Sequence, residues 1–194
     1  FEIGDGTVYA PVSLAFASVT GAGTITASTS PGDHPNIVTS RVDGAKGVNR
    51  SWTLTNGGVT FTSYTGTYNF AAGDIDAGAV TGSFIVDNFV LPTWFATTAG
   101  TRTATSTQAS GITRFGDFAV GEAKTISITA SSGANGSVTP VGSTVVAYGG
   151  SQGYTIAANT GYHIVDVLVD GVSVGAVGTY SFSNVLINHT ISAS

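Results

Sequence analysis

Apolar and small polar residues alternate along most of this chain, which is the pattern of half-buried β-strands. The segments Val12–Phe16, Ser51–Thr55 and Thr125–Thr129 all follow it. No stretch shows a convincing helical spacing of apolar residues, and the abundant Thr and aromatic residues are themselves strand formers. The sequence therefore predicts a nearly all-β fold.

Gly-containing turn sequences separate the alternating runs. The clearest case is Val167–Val174, in which Asp170-Gly171 separates two apolar runs. An Asp-Gly pair favours a type I′ turn, because the twist of that turn matches the twist of the flanking strands. We expect a two-residue β-hairpin here.

One strand-like run ends at Val120, and a new run begins at Thr125. Between them, Gly121–Lys124 is the predicted domain boundary. The predicted domains are residues 1–122, of a size suited to a β-sandwich, and residues 123–194, a smaller β module.

Composition supports a folded chain with an unusual surface. Only 9% of the 194 residues are charged, whereas about 25% is usual for soluble domains. The surface must therefore consist mostly of Ser, Thr, Asn and Gly. Hydrophobic residues make up 42% of the chain and include ten Phe, seven Tyr and two Trp, which is enough apolar area for a buried core.

Charge and missing residue types exclude several functions. The chain has no Cys, which removes disulfides, thiolate nucleophiles and Cys-ligated zinc. A net charge of −5 with only six Lys and Arg disfavours nucleic acid and anionic membranes as partners. No apolar run reaches the roughly 20 residues of a transmembrane helix, so we expect no membrane insertion.

The second domain resembles the divergent InlB B-repeat family. The resemblance covers nearly all of residues 124–194, and five separated motifs occur in the family's order: Ile126–Val138, Tyr148–Gln152, Gly161–Ile164, Val169–Gly171 and His189–Ala193. Such modules recur in large bacterial surface and secreted proteins. The resemblance therefore implies an extracellular or cell-surface location.

The first domain looks like a β-sandwich module of bacterial surface proteins. The resemblance rests on four segments: Asp33–Asn36, Val48–Thr55, Thr101–Ser106 and Phe115–Glu122. Neither resemblance brings catalytic residues to transfer. The expected fold is thus an antiparallel β-sandwich followed by a smaller all-β repeat module.

Asp74 and Asp76 are the best candidates for a cation site. Alternating carboxylates in a Gly-flanked loop can present oxygens to Ca²⁺, which takes six to eight oxygen ligands. The loop lacks the further acidic residues of an EF-hand, and an Asp-rich turn between two strands is the favoured alternative. Apart from this candidate calcium site, we expect no cofactor.

Residues suited to catalysis are not grouped in any known motif. The segment Asp33–Asn36 combines a carboxylate, an imidazole at His34 and an amide, but turn chemistry accounts for it more simply. Ser and Thr are abundant, yet no nucleophile elbow occurs with a His and an Asp placed after it. We therefore expect that the chain is not an enzyme.

Exposed aromatic residues could bind glycans by stacking on sugar rings. Trp94, Tyr64 and Tyr68 are the candidates. Tyr64 and Tyr68 share one strand face, and a place in the sandwich core is the alternative for both. Trp94 follows a Leu-Pro-Thr stretch and is expected in an exposed loop.

The preferred hypothesis is a structural or adhesive module of a bacterial surface protein, serving as part of a stalk or as a filament subunit. Its partners would be neighbouring domains or identical subunits, which could join by pairing of edge strands. The terminal segments supply the candidate edges, at Phe1, Ile3, Ile187 and Ile191. A carbohydrate-binding module, with glycans as partners, is the alternative.

Overall fold

The computed structural model describes all 194 residues, which form two compact units, Phe1–Ala123 and Lys124–Ser194. Both units are built from β-strands, as the alternating pattern predicted. The only helical elements are short 3₁₀ turns in the first unit, at Ile37–Thr39, Ala72–Asp74 and Thr81–Ser83. None of the helical elements is long and apolar enough to cross a membrane.

The first unit contains eleven strands: β1 (Val12–Phe16), β2 (Val19–Gly21), β3 (Thr24–Pro31), β4 (Val42–Gly57), β5 (Thr60–Phe61), β6 (Tyr64–Asn69), β7 (Phe84–Val90), β8 (Thr93–Ala96), β9 (Thr98–Arg102), β10 (Ser106–Ile112) and β11 (Gly116–Ala123). They form a four-stranded sheet in the order β1-β6-β10-β9 and a five-stranded sheet in the order β3-β4-β11-β7-β8. Strands β2 and β5 form a separate small ribbon.

The two larger sheets of this unit pack face to face around one core. Trp52 and Phe118 come from the five-stranded sheet, Tyr64 and Tyr68 come from the four-stranded sheet, and all four are at most 1% exposed. The ring of Tyr68 lies 5.6 Å from that of Trp52 and 4.9 Å from that of Phe118. Burying one large apolar side chain contributes about 1.5–3 kcal/mol, so these rings are central to the stability of the sandwich.

The second unit contains eight strands: β12 (Thr125–Ser132), β13 (Gly136–Thr139), β14 (Gly142–Ala147), β15 (Gly150–Ala158), β16 (Val167–Val169), β17 (Val172–Gly175), β18 (Thr179–Val185) and β19 (His189–Ala193). A five-stranded sheet has the order β14-β12-β19-β16-β17, and a three-stranded sheet has the order β13-β15-β18. Ile128 and Ile191 of the larger sheet share one core with Tyr154 and Phe182 of the smaller sheet.

The predicted hairpin is confirmed. Strands β16 and β17 pair with Val169 opposite Val172, which leaves Asp170 and Gly171 as the two-residue loop. Both loop residues have positive φ, 50° at Asp170 and 79° at Gly171. A type I′ turn requires this conformation at both positions, and Asp and Gly tolerate it better than most residues do.

Candidate functional site

The two candidate calcium ligands are engaged by protein donors. The Nε of Arg50 donates to Oδ2 of Asp74 over 2.7 Å. Asp76 accepts hydrogen bonds from the amide of Gly47 over 2.8 Å and from Nδ2 of Asn49 over 2.7 Å. These hydrogen bonds connect β4 to the turn that follows β6. No group of three or more His, Asp or Glu side chains is arranged to hold a metal ion.

Arg50 is the centre of a buried ion-pair cluster in the first unit. Its side chain is 1% exposed and lies 2.9 Å from Oδ2 of Asp5, in addition to the contact with Asp74. Burial opposes the charge of Arg50, but hydrogen bonds to both carboxylates outweigh it and raise the pKa of the guanidinium. Hydrogen bonds from Thr7 and from the amide of Val8, with that from Arg50, hold the pKa of Asp5 well below its usual range.

The prediction of a sugar-binding role is wrong for two of the three candidate aromatic residues. Tyr64 and Tyr68 are 1% and 0% exposed and lie in the sandwich core, so no sugar can reach them. The hydroxyl of Tyr64 donates to the carbonyl of Arg114 over 2.9 Å, and burial raises the pKa of Tyr64. Trp94 lies in β8 rather than in a loop, and its Nε1 donates to the carbonyl of Asn36 over 2.9 Å.

The predicted assembly edges also need correction. Ile191 lies in β19, which pairs with β12 on one side and with β16 on the other, so it belongs to a central strand. Ile187 lies in the loop before β19 and is 66% exposed. Phe1 exchanges main-chain hydrogen bonds with Val12, and the carbonyl of Ile3 accepts one from Ala10. The amine and carbonyl of Phe1 and the carbonyl of Ile3 are therefore used inside the first unit.

His34 forms the centre of a polar cluster on the outer face of the five-stranded sheet of the first unit. The ring is 6% exposed and lies 4.8 Å from the ring of Phe89 and 4.9 Å from that of Trp94. Its Nδ1 accepts a hydrogen bond from the amide of Asn36, and its Nε2 donates to Oδ2 of Asp117 over 3.2 Å. Both ring nitrogens are therefore engaged by other groups of the protein.

A cleft of about 440 Å³ borders this cluster. Thr53 closes one side, where its hydroxyl donates to Oδ1 of Asp117 over 2.7 Å. The remaining lining combines hydroxyl groups, two carboxylates and two aromatic rings: Ser30, Pro31, Asp33, His34, Pro35, Asn36, Ser51, Phe89 and Asp117. Burial, with the nearby charge of Asp76, raises the pKa of Asp33. The cleft thus offers hydrogen-bonding groups beside an apolar wall.

In the second unit, the first and last strands are direct neighbours and run parallel. Strand β12 pairs with β19 in an unbroken register from Ile128 opposite His189 to Ser132 opposite Ala193. Further hydrogen bonds extend the pairing at both ends. The amide of Ser127 donates to the side chain of Asn188 over 2.9 Å, and that of Gly133 donates to the carbonyl of Ala193 over 2.9 Å. We call this paired element the terminal-strand clamp.

No family model, curated protein or solved structure matches this chain. The resemblance to the divergent InlB B-repeat family stays a prediction from the motifs quoted above. The function of the chain is therefore inferred from the geometry of the two units.

The terminal-strand clamp and the lining of the cleft were missed by sequence reasoning. Ser127 and Asn188 are 61 residues apart, and His34 and Asp117 are 83 residues apart. Alternation identifies each strand but carries no information about which strands become neighbours. The motif Asp33–Asn36 was a usable signal for the position of His34, though it gave none of the partners of its ring.

Proposed function

We propose that this chain is a non-catalytic structural or adhesive module of a bacterial cell-surface or extracellular protein, and that it transmits tension as part of a stalk or filament. The observation that carries the proposal is the terminal-strand clamp of the second unit. The engagement of His34, Asp74 and Asp76 by other protein groups supports the non-catalytic part.

Parallel terminal strands resist stretching for a geometric reason. A force that separates Lys124 from Ser194 pulls β12 and β19 along their own axes in opposite directions. The five residue pairs between them are then loaded together, and their hydrogen bonds must break in one event. An antiparallel pair that is pulled apart at one end instead opens one bond at a time. Forced unfolding is governed by the unfolding rate. Loading the parallel strands along their axes keeps this rate low.

Single-molecule force spectroscopy tests this proposal by changing only the direction of pulling. The chain has no Cys, so introduced cysteines give unique attachment points. Lys124→Cys with Ser194→Cys loads the terminal-strand clamp in shear. Thr125→Cys with Ala147→Cys pulls apart two residues that face each other at the end of the β12–β14 ladder and serves as the matched control.

We expect a clearly higher unfolding force for the 124–194 attachment than for the 125–147 attachment. Equal forces in the two geometries would contradict the proposal. Equilibrium unfolding of both unattached double variants shows whether the substitutions themselves change the stability of the fold.

A carbohydrate-binding role is the second candidate, and the cleft beside His34 favours it. Sugars present hydroxyl groups together with apolar C–H faces, and the cleft offers the hydroxyls of Ser30, Ser51 and Thr53 beside the ring of Phe89. Ligand sites commonly combine an apolar wall with a few placed polar groups. The half-buried Trp94 packs behind this wall.

A glycan array with two matched variants tests the second candidate. Ser30→Tyr fills the cleft, whereas Ser28→Tyr places the same side chain two residues away on the same face of β3, outside the cleft lining. We expect a glycan that binds the unmodified chain and Ser28→Tyr but not Ser30→Tyr. Absence of binding across the array, or equal binding to both variants, argues against the cleft as a sugar site.

A further inference from the structure

Strand β3 is the outermost strand of the five-stranded sheet in the first unit. It pairs with β4 without a break, from Thr24 opposite Gly57 to Pro31 opposite Arg50, and no other strand lies beside it. Its eight residues exceed the four of β8 at the opposite edge of the same sheet. One side of the β3 backbone therefore has no neighbouring strand.

The register identifies which residues point their backbone groups outward. The amide of Gly32 donates to the carbonyl of Asn49, so this residue pair is of the hydrogen-bonded type. In an antiparallel ladder such pairs recur at every second residue, and Thr26, Ser28 and Ser30 therefore bond to β4. The amides and carbonyls of the intervening residues, Ile25, Ala27 and Thr29, point away from the sheet.

The features that usually protect an exposed edge are almost absent from β3. Natural edge strands carry charged residues, central prolines, bulges or a covering segment. The sequence Thr24–Pro31 contains no charged residue, its pairing with β4 has no bulge, and its one proline is the last residue. The other sheet of this unit differs, since Phe1 and Ile3 hydrogen-bond alongside the start of β1.

We propose that β3 is a docking edge for the β3 strand of a second copy of this chain. Two identical strands that pair antiparallel are related by a two-fold axis. The outward amides of each strand then bond to the outward carbonyls of the other. The pairing would join two five-stranded sheets into one sheet of ten strands. The chain carries a net charge of −5, but none of it lies on β3, so the paired strands themselves do not repel each other.

The interface is small and the association accordingly weak. We expect one pair of eight-residue edge strands to bury less than the roughly 1,000 Å² of a stable interface. Such contacts form when many copies are held close together, because the high effective concentration compensates for the low affinity of each contact. The inference rests on the proposed structural role, in which copies of the chain are assembled at a surface or in a filament.

Residue-resolved amide hydrogen exchange at increasing protein concentration tests the inference on the unmodified chain. We expect the amides of Ile25, Ala27 and Thr29 to exchange more slowly as the concentration rises, by about tenfold when about nine-tenths of the chains are paired. The amides of Thr26 and Ser28 serve as internal controls, because they bond to β4 at every concentration. Exchange that does not depend on concentration at the three outward amides would overturn the inference.

Ala27→Pro provides an independent test by sedimentation velocity. Proline removes the outward N–H of Ala27 while leaving the ladder to β4 intact, and edge strands tolerate proline at such positions. Ala27→Val retains the N–H and is the matched control. We expect concentration-dependent dimers for the unmodified chain and for Ala27→Val, and monomers for Ala27→Pro; equal dimerisation of both variants would overturn the inference.

The two proposals can fail separately. If the chain stays monomeric and the 124–194 attachment gives the higher unfolding force, only the docking-edge proposal is contradicted. If the chain pairs through β3 and both pulling directions give equal forces, only the proposed mechanical role is contradicted.

Discussion

Arg50 donates a hydrogen bond to Asp74 over 2.7 Å from a position where its side chain is 1% exposed. Removing one member of a buried ion pair leaves the other charge uncompensated, at a cost of about 3–5 kcal/mol. Asp5 remains as a second partner of Arg50, so we expect Asp74→Ala to destabilise the first unit by about 3 kcal/mol. Urea unfolding measures the loss, with Asp43→Asn, which retains a side-chain acceptor, as the control. A loss below about 1 kcal/mol, as for an exposed pair, would contradict this view of Arg50.

Thr107 has a fully buried hydroxyl without a hydrogen-bond partner. An unsatisfied buried hydroxyl costs about 1–3 kcal/mol, and valine has nearly the same shape without this polar group. Thr107→Val should therefore raise the free energy of unfolding by about 1 kcal/mol. The exposed Thr101→Val on the neighbouring β9 is the control and should change it by less than about 0.5 kcal/mol. Destabilisation by Thr107→Val would indicate a hydrogen bond to this hydroxyl, for example from an enclosed water.

His34 links the segment before β4 to the outer face of the sheet through Asp117. His34→Phe keeps a ring against Phe89 but removes the donor to Asp117 and the acceptor for the amide of Asn36. We expect a loss of about 1–3 kcal/mol in the stability of the first unit, accompanied by a change in the fluorescence of the adjacent indole. The same substitution at His163, an exposed residue outside any strand, is the matched control and should have little effect.

Asp170 should make the second unit sensitive to acid. The hydrogen bond from His189, followed by that from the amide of Thr190, lowers the pKa of Asp170. The unfolded chain then binds a proton more readily than the folded one, so stability falls as the pH drops from about 4 through the lowered pKa. Asp170→Asn should flatten this part of the pH profile. NMR signals of the second unit during urea unfolding between pH 6 and pH 3 provide the measurement.

Asp43→Asn, in the first unit, is the control for that profile. It should leave the acid sensitivity of the second unit unchanged. A profile that is equally steep with Asp170→Asn would assign the sensitivity to another carboxylate.

Local patterns predicted the strands and the Asp170-Gly171 hairpin, because strand alternation and turn geometry depend on residues close together in the chain. The misassigned residues depended on distant partners. Alternation placed Tyr64 and Tyr68 on one face of β6, yet the sequence did not decide whether that face meets the core or the solvent. Ile191 lies near the end of the sequence, but order along the chain is not order across a sheet.

The burial of the charged side chains could not be predicted from the sequence, for a related reason. Arg50 belongs to an ordinary alternating run, and nothing local indicates that Asp5 and Asp74 converge on it. Burial of an arginine depends on two partners from other parts of the chain, and only the assembled sandwich brings them together. The same holds for the cleft beside His34, whose Asp117 lies 83 residues away.

The terminal-strand clamp also affects how the second unit is made. During synthesis, β12 emerges first, and the strand that covers one of its sides, β19, emerges last. The sheet cannot close until about 60 residues later in the chain, and such non-local pairing is slow. The five-stranded sheet of this unit therefore reaches its full strand order only after its last strand has been made, and until then one side of β12 has no partner strand.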